Sequence, residues 1–252
     1  MTLSSWLPYC RHMSNASIRL FCFAYAGGSA SVFSGWQELI GPEIQVCAVQ
    51  APGRGKRLAE KQFARVDDLA KAASGALLPF LSSHFAFFGH SLGAIVAYEV
   101  AQCLGVRGGP LPDRLFVSAR RAPHIPTPHG QTWDLPDGQF KVRLVELNGT
   151  PPEAFENQEL LDLMLPLIRA DFRLDELYEP SATQKPLAFP ISAYCGLQDD
   201  ETPIDQMTAW RSTTTSDFDL KCFEAGHFFI DSHKRELISA VRHRLLGHAA
   251  YS

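Results

Sequence analysis

The chain alternates short apolar runs with longer segments whose apolar residues recur at helical spacing, and that rhythm predicts most of its elements. Ile18-Arg19-Leu20-Phe21-Cys22-Phe23-Ala24 reads as a strand, stopped by Tyr25-Ala26-Gly27-Gly28-Ser29. Val32 to Leu39 has helical spacing, and Ile44 to Val49 is a second strand ended by Pro52-Gly53. Val66 to Leu81 is a helix that leads into the apolar strand His84 to Phe88. Leu92 to Ala101 then reads as a helix, followed by a strand over Arg114 to Ser118. Strands over Ala188 to Cys195 and Phe218 to Phe223 flank a helix around Met207 to Arg211. Such alternation implies a mostly parallel sheet covered by helices on both faces, with right-handed crossovers.

One segment breaks the rhythm. From Pro123 to about Ser181 no strand is evident. The stretch opens on Pro123-His124-Ile125-Pro126-Thr127-Pro128-His129-Gly130 and continues with helical patterns over Gln139 to Leu147 and Gln158 to Leu177. Asn148-Gly149-Thr150-Pro151-Pro152 separates the two. We expect residues 123–181 to be a helical insertion across the carboxyl ends of the strands, where open α/β sheets bind ligands. At 252 residues the chain suits one α/β domain over 1–252 carrying that insertion as a lid.

Composition narrows the setting more than the chemistry. No apolar stretch approaches a membrane span, and the first 17 residues lack a signal-like apolar core. A net charge of −4 gives no reason to expect nucleic acid or an anionic membrane as partner. The six cysteines (Cys10, Cys22, Cys47, Cys103, Cys195 and Cys222) show no C-x-x-C and no metal-like spacing with histidine. Together these features suit free thiols in a reducing cytoplasm rather than a disulfide scaffold, with no metal site.

The chemistry enters at Gly89-His90-Ser91-Leu92-Gly93, which lies between a predicted strand and a predicted helix. That context makes G-x-S-x-G a nucleophile elbow, a turn so tight that glycines flank a serine held in a strained conformation. A serine at neutral pH needs a base, and the base needs an orienting acid. His227 follows the last predicted strand and precedes the C-terminal helix, so its loop can reach back to Ser91. His90 is locked inside the elbow, whereas His233, His243 and His248 fall on or beyond the last helix. For the acid, Gly196-Leu197-Gln198-Asp199-Asp200-Glu201 follows the preceding strand; Asp199 is best placed, with Asp200 as the alternative. The oxyanion formed on attack calls for two backbone N–H donors. Leu92, at the start of its helix, supplies one, and Ala26 in the loop after the first strand is our choice for the other.

Several motifs together resemble the type II thioesterases, stand-alone partners of non-ribosomal peptide and polyketide synthases. They are Phe21-Cys22-Phe23-Ala24-Tyr25-Ala26-Gly27-Gly28-Ser29-Ala30, Gln50-Ala51-Pro52-Gly53-Arg54, Gly89-His90-Ser91-Leu92-Gly93-Ala94, Gly149-Thr150-Pro151-Pro152, Leu167-Ile168-Arg169-Ala170-Asp171-Phe172 and Gly226-His227-Phe228-Phe229. The resemblance runs from about Ile18 to Leu246 and departs from the family at Ala24, Cys195 and Thr202. It implies an α/β-hydrolase fold with a helical lid, and Ser91, Asp199 and His227 as nucleophile, acid and base. It further implies hydrolysis of acyl or aminoacyl thioesters held on the phosphopantetheine arm of an acyl or peptidyl carrier protein, with no cofactor of the enzyme's own.

Phe140, Leu144, Leu147, Phe155 and Leu163 are candidates to line the acyl pocket from the lid. Arg120 and Arg121, just after a predicted strand, are candidates to meet the arm's phosphate or an acidic carrier. The expected protein is a cytoplasmic monomer. Two rival readings are a hydrolase or acyltransferase that uses the same triad on free esters, and a non-catalytic binding protein of the same fold.

Overall fold

The computed structural model describes residues 5–10, 13–81, 84–127, 130–147 and 158–247. Six parallel strands form its sheet, in the order β2-β1-β3-β4-β5-β6. They are β1 (Ile18–Phe23), β2 (Ile44–Ala48), β3 (His84–His90), β4 (Arg114–Ser118), β5 (Ile191–Gly196) and β6 (Phe218–Phe223). Residues alternate between the faces as the pleat requires. Phe21, Phe85 and Phe87 enter the core on one face, with Leu20, Cys22, Ala86 and Phe88 on the other. The first core is closed by α2 (Val66–Leu77) and α3 (Leu92–Val106). The second is closed by α1 (Trp36–Ile40) and the C-terminal helix over Lys234–Leu246.

The strand order reverses after β2, so β1 and β3 lie side by side while their connections leave in opposite directions. That reversal opens a crevice at the carboxyl ends of the two strands. The loop after β1 and the turn after β3 therefore face one another across it.

Residues 123–181 contain no strand among those described; α4 (Asp137–Glu146) and α5 (Gln158–Glu176) occupy them. The two helices share a small core of their own, in which Phe140 and Leu144 meet Leu161, Leu165 and Ile168. Asn148 to Pro152, and with them Phe155, lie outside the described residues. After β5 come α6 (Ile204–Thr208), β6, a short α7 (Phe229–Ser232) and α8 (Lys234–Leu246). No helix among the described residues is long and apolar enough to cross a membrane.

Three expectations need correction. The helix read over 32–39 is broken in two, because Gly35 takes φ +77° between a 3-10 turn at Ala30–Phe33 and α1. The strand read from Ala188 begins only at Ile191, since Pro190 has no N–H to give the ladder. The cysteines are not all free: Cys10 is bridged to Cys47 and Cys195 to Cys222. Cys195 and Cys222 are direct partners in the β5–β6 register, a relation that spacing along the chain does not reveal. Cysteine usage therefore carries no argument about compartment.

Candidate active site

Ser91 caps the amino end of α3 with φ 53° and ψ −123°. An L-residue rarely adopts that conformation, at a cost of about 1–3 kcal/mol, so the surroundings must impose it. They do so through backbone. The Ser91 N–H donates to the Ser118 carbonyl of β4 at 2.8 Å, fixing the turn to the neighbouring strand. A Cβ on Gly89 would strike the backbone of Gly93, and a Cβ on Gly93 would strike the Phe23 and Ala24 carbonyls. Only glycine at both positions lets α3 start this close to the end of β1.

Two further loops bring in the partners. The loop after β5 carries Asp199, whose Oδ2 lies 2.8 Å from His227 Nδ1. Asp199 Oδ1 accepts the Glu201 N–H at 3.0 Å, which fixes the carboxylate's rotation. The Asp199 side chain is 1% exposed and His227 12%, whereas Asp200 is exposed to solvent and makes no such contact. Gly196 permits the approach, since a Cβ there would strike the Ala225 and Gly226 carbonyls that lead into His227. Beneath His227 lies His90, fully buried, its ring centroid 5.6 Å away and its Nδ1 2.8 Å from Ser118 Oγ. Burial holds the His90 imidazole well below its usual pKa, so it stays neutral under the His227 ring.

Opposite the serine runs Tyr25-Ala26-Gly27-Gly28. Its N–H groups are divided. Gly27 donates to Asp171 Oδ2 at 2.7 Å and Gly28 to the Tyr25 carbonyl at 2.9 Å, while Ala26 has no acceptor among the described residues. Leu92 opens α3, where a helix leaves its first N–H groups without partners inside itself. Ala26, Ser91 and His227 border one cleft of about 360 Å³.

The helical segment forms the cleft's opposite wall. Leu144 and Leu147 line it as expected, joined by Met164, Ile168 and Phe172 on one face of α5. Phe140 and Leu163 do not. Phe140 is buried between α4 and α5, and Leu163 points outward at 58% exposure. The residues missed were hidden by phase: Met164, Ile168 and Phe172 follow one another at i+4, and Leu163 sits beside that stripe. Arg120 and Arg121 also border the cleft, but each is already engaged. Arg120 pairs with Asp175 of α5 at 2.5 Å. Arg121 donates to Thr127 Oγ1 at 2.5 Å and to the Ile125 carbonyl at 3.2 Å. Burial, with Arg120 alongside, brings Arg121 down to about 10, which leaves it charged at neutral pH. Another feature absent from the sequence reading is Ala119, which turns the chain at φ 49° where β4 ends at the cleft.

A parallel sheet with a strained serine at the strand-to-helix turn after β3, and acid and histidine loops after β5 and β6, is the α/β-hydrolase architecture. The comparisons with known proteins narrow this class. Residues 18–245 match the thioesterase domain family, and the chain belongs to it as a serine-type thioester hydrolase. The prodiginine-pathway thioesterase RedJ of Streptomyces coelicolor is 37% identical, with TM-score 0.85 over 92% of this chain and 91% of that one. YbtT, a type II thioesterase from the yersiniabactin NRPS/PKS pathway, is 30% identical, with TM-score 0.83 over 94% and 96%. In Brevibacillus parabrevis, the protein named linear gramicidin dehydrogenase LgrE is 38% identical over 96% of this chain and 93% of its own length. That name denotes redox chemistry, but no G-x-G-x-x-G dinucleotide fingerprint occurs anywhere in this sequence.

Proposed function

We propose that this thioesterase hydrolyses acyl or aminoacyl thioesters carried on the phosphopantetheine arm of acyl or peptidyl carrier proteins, with Ser91, His227 and Asp199 as its catalytic residues. One observation carries the reading: the Asp199–His227 pair and the strained Ser91 meet at a single cleft. In the first half-reaction Ser91 Oγ attacks the thioester carbonyl while His227 Nε2 takes the hydroxyl proton. Asp199 holds the imidazole in the tautomer that leaves Nε2 free to accept, and stabilises the imidazolium that forms. The oxyanion is received by the N–H groups of Ala26 and Leu92, each worth about 3 kcal/mol to the transition state. Collapse breaks the C–S bond, and His227 returns the proton to the departing pantetheine sulfur. In the second half-reaction His227 deprotonates a water molecule that attacks the acyl-Ser91 ester, releasing a carboxylic acid and restoring the serine.

This sequence of steps calls on no cofactor or metal held by the chain. Residues 123–181 act as a lid on a single domain, presenting Leu144, Leu147, Met164, Ile168 and Phe172 to the acyl group. The protein works as a monomer in the cytoplasm, beside the synthase whose carriers it clears. Relatives in NRPS/PKS pathways support the carrier-bound substrate. Intact-protein mass spectrometry of an acyl-phosphopantetheinyl carrier tests it, with Ser91→Ala and the free acyl-pantetheine thioester as controls. We expect loss of the acyl mass with wild type alone, faster than cleavage of the free thioester. A carrier that stays acylated while soluble esters are cleaved would assign the triad to free substrates instead.

A further inference from the structure

Three motifs that lie far apart in the sequence meet at the loop opposite the serine. Asp171 of α5 is fully buried, and each of its carboxylate oxygens is engaged. Oδ2 accepts the Gly27 N–H at 2.7 Å. Oδ1 accepts from Arg54 Nη2 at 2.7 Å and from Gln62 Nε2 at 3.4 Å. Arg54 closes the circuit by donating through Nη1 to the Gly28 carbonyl at 3.1 Å. Gln50 supports it from behind, with Nε2 donating to the Arg54 carbonyl and Oε1 accepting the Ala30 N–H. One turn earlier on α5, Ile168 occupies the space a Cβ on Gly27 would need.

We propose that Asp171 and Arg54 are positioning residues, a buried latch through which helix α5 of the lid sets the oxyanion loop for catalysis. The proposal rests on the reading of Ala26 as an oxyanion donor. Beyond the Tyr25 ring, Ala26, Gly27 and Gly28 have no side chain large enough to fix their peptide planes by packing. Here the Gly27 N–H is held by Asp171 and the Gly28 carbonyl by Arg54, so the planes on the far side of Ala26 are set and its own N–H is left unengaged. The charged pair sits under the loop rather than in the cleft, so it acts on the reaction only through the backbone it holds. Lid position and oxyanion geometry then form one unit: moving α5 moves Asp171, and the loop goes with it. A mere structural ion pair would also hold the lid, but it would leave transition-state binding untouched.

The test uses Asp171→Asn, Arg54→Lys and the double variant. Turnover of an acyl-pantetheine thioester is measured alongside binding of an alkyl trifluoromethyl ketone. Ser91 Oγ adds to the ketone carbon and its proton passes to His227, leaving an oxyanion in the position the reaction would create. We expect Asp171→Asn to lower kcat on the order of 10²-fold with KM little changed, since small displacements of preorganised groups cost that much. Ketone affinity should fall by the same factor. Arg54→Lys keeps the charge but loses the two-pronged geometry, and should show the same pattern at smaller size. The double variant should be no worse than Asp171→Asn alone, because both act on one unit. Ala26→Pro, which deletes the N–H itself, is the reference. If Ala26→Pro weakens the ketone while folded Asp171→Asn and Arg54→Lys bind it as wild type does, the latch is refuted and the donor reading stands. If Ala26→Pro also binds the ketone normally, the donor reading fails and takes the latch with it.

Discussion

The serine turn and the loop facing it are built in opposite ways. Ser91 is held by backbone: a 2.8 Å bond to the Ser118 carbonyl, and glycines at 89 and 93 that let main chain touch main chain. Tyr25 to Gly28 closes on itself with one backbone bond, Gly28 N–H to the Tyr25 carbonyl, but Gly27 and Gly28 are tied to the rest of the fold by side chains from residues 54 and 171. The first construction is local and rigid, and nothing outside β3, α3 and their neighbouring strands is needed to complete it. The second depends on a helix that also walls the substrate cleft, so the loop is complete only when that helix is docked. The latch we propose ties the oxyanion donor, and with it turnover, to a docked α5, whereas the serine turn needs no such contact.

The largest effect we expect separates chemistry from both constructions. Asp199→Asn leaves the serine turn and the opposite loop intact and imposes the wrong imidazole tautomer on His227. Turnover of acyl-pantetheine should drop by ~10⁴, with an unchanged melting temperature and circular dichroism spectrum. Asp200→Asn, on an exposed carboxylate, should leave turnover at the wild-type level. If the two variants exchange phenotypes, the 2.8 Å contact to His227 is not the productive one.

Next comes the serine turn itself. Gly93→Ala places a methyl group against the Phe23 and Ala24 carbonyls, which belong to main chain and cannot rotate away. We expect a loss of more than about 4 kcal/mol, seen as a fall in the urea midpoint or as insoluble protein. The contrast with Arg54→Lys is the informative part, because that change should lower kcat while the protein stays folded. Should Gly93→Ala fold with full stability, the turn is softer than its contacts imply.

A smaller effect compares two anchors of the same helical segment. Just past α5, Tyr178 donates its hydroxyl to Glu99 Oε1 at 2.5 Å, and Gln184 donates to the same oxygen at 2.6 Å. Glu99 lies on α3, where burial raises its pKa. Tyr178→Phe removes one of those two donors, at about 1–3 kcal/mol, or roughly 2–4 °C in Tm for each kcal/mol in a chain of this size. Because this anchor touches neither the cleft loops nor the triad, kcat should not change. A drop in kcat equal to that of Asp171→Asn would mean that the anchor on Glu99 sets the position of α5, and through it the loop, as firmly as the Asp171 contacts do.

This difference in construction also explains what the sequence made legible. The elbow, the strand rhythm and the order of serine, acid and histidine follow from short-range patterns: glycine spacing, apolar runs, and loops that must follow strands. Asp199 stood out over Asp200 by its distance from the strand end, and in the fold it is the carboxylate that turns inward. What could not be read was everything set by tertiary register. Arg54 and Asp171 were visible as parts of separate motifs, but their meeting at Gly27 and Gly28 depends on how α5 crosses the sheet. The same holds for Met164, Ile168 and Phe172, which border the cleft from α5 while packing against the cluster around Phe140 of α4. Cys195 and Cys222 became partners through the β5–β6 register.

The smallest effect concerns how acid acts on the two constructions. His90 is fully buried under the serine turn, against Tyr25, His227, Phe228 and Phe229, with Nδ1 on Ser118 Oγ. Burial, and to a lesser degree the neighbouring His227, hold its pKa well below 6.5. In the unfolded chain the same imidazole titrates near its ordinary value, so below about pH 6.5 the unfolded state binds a proton that the folded state refuses. Stability is therefore fully present above that pH and declines as pH falls through and below it. One such group contributes a slope of at most about 1.4 kcal/mol per pH unit. Urea unfolding between pH 5.0 and 7.5 should show this decline in wild type and a flatter curve in His90→Gln, which keeps a polar contact for Ser118 without the titrating ring. Because His90 braces the serine turn and makes no contact with Arg54 or Asp171, the two urea curves should differ even when Asp171→Asn is placed in both backgrounds. Equal slopes in wild type and His90→Gln would mean that the acid sensitivity comes from elsewhere, and that the turn rests on its backbone bonds alone.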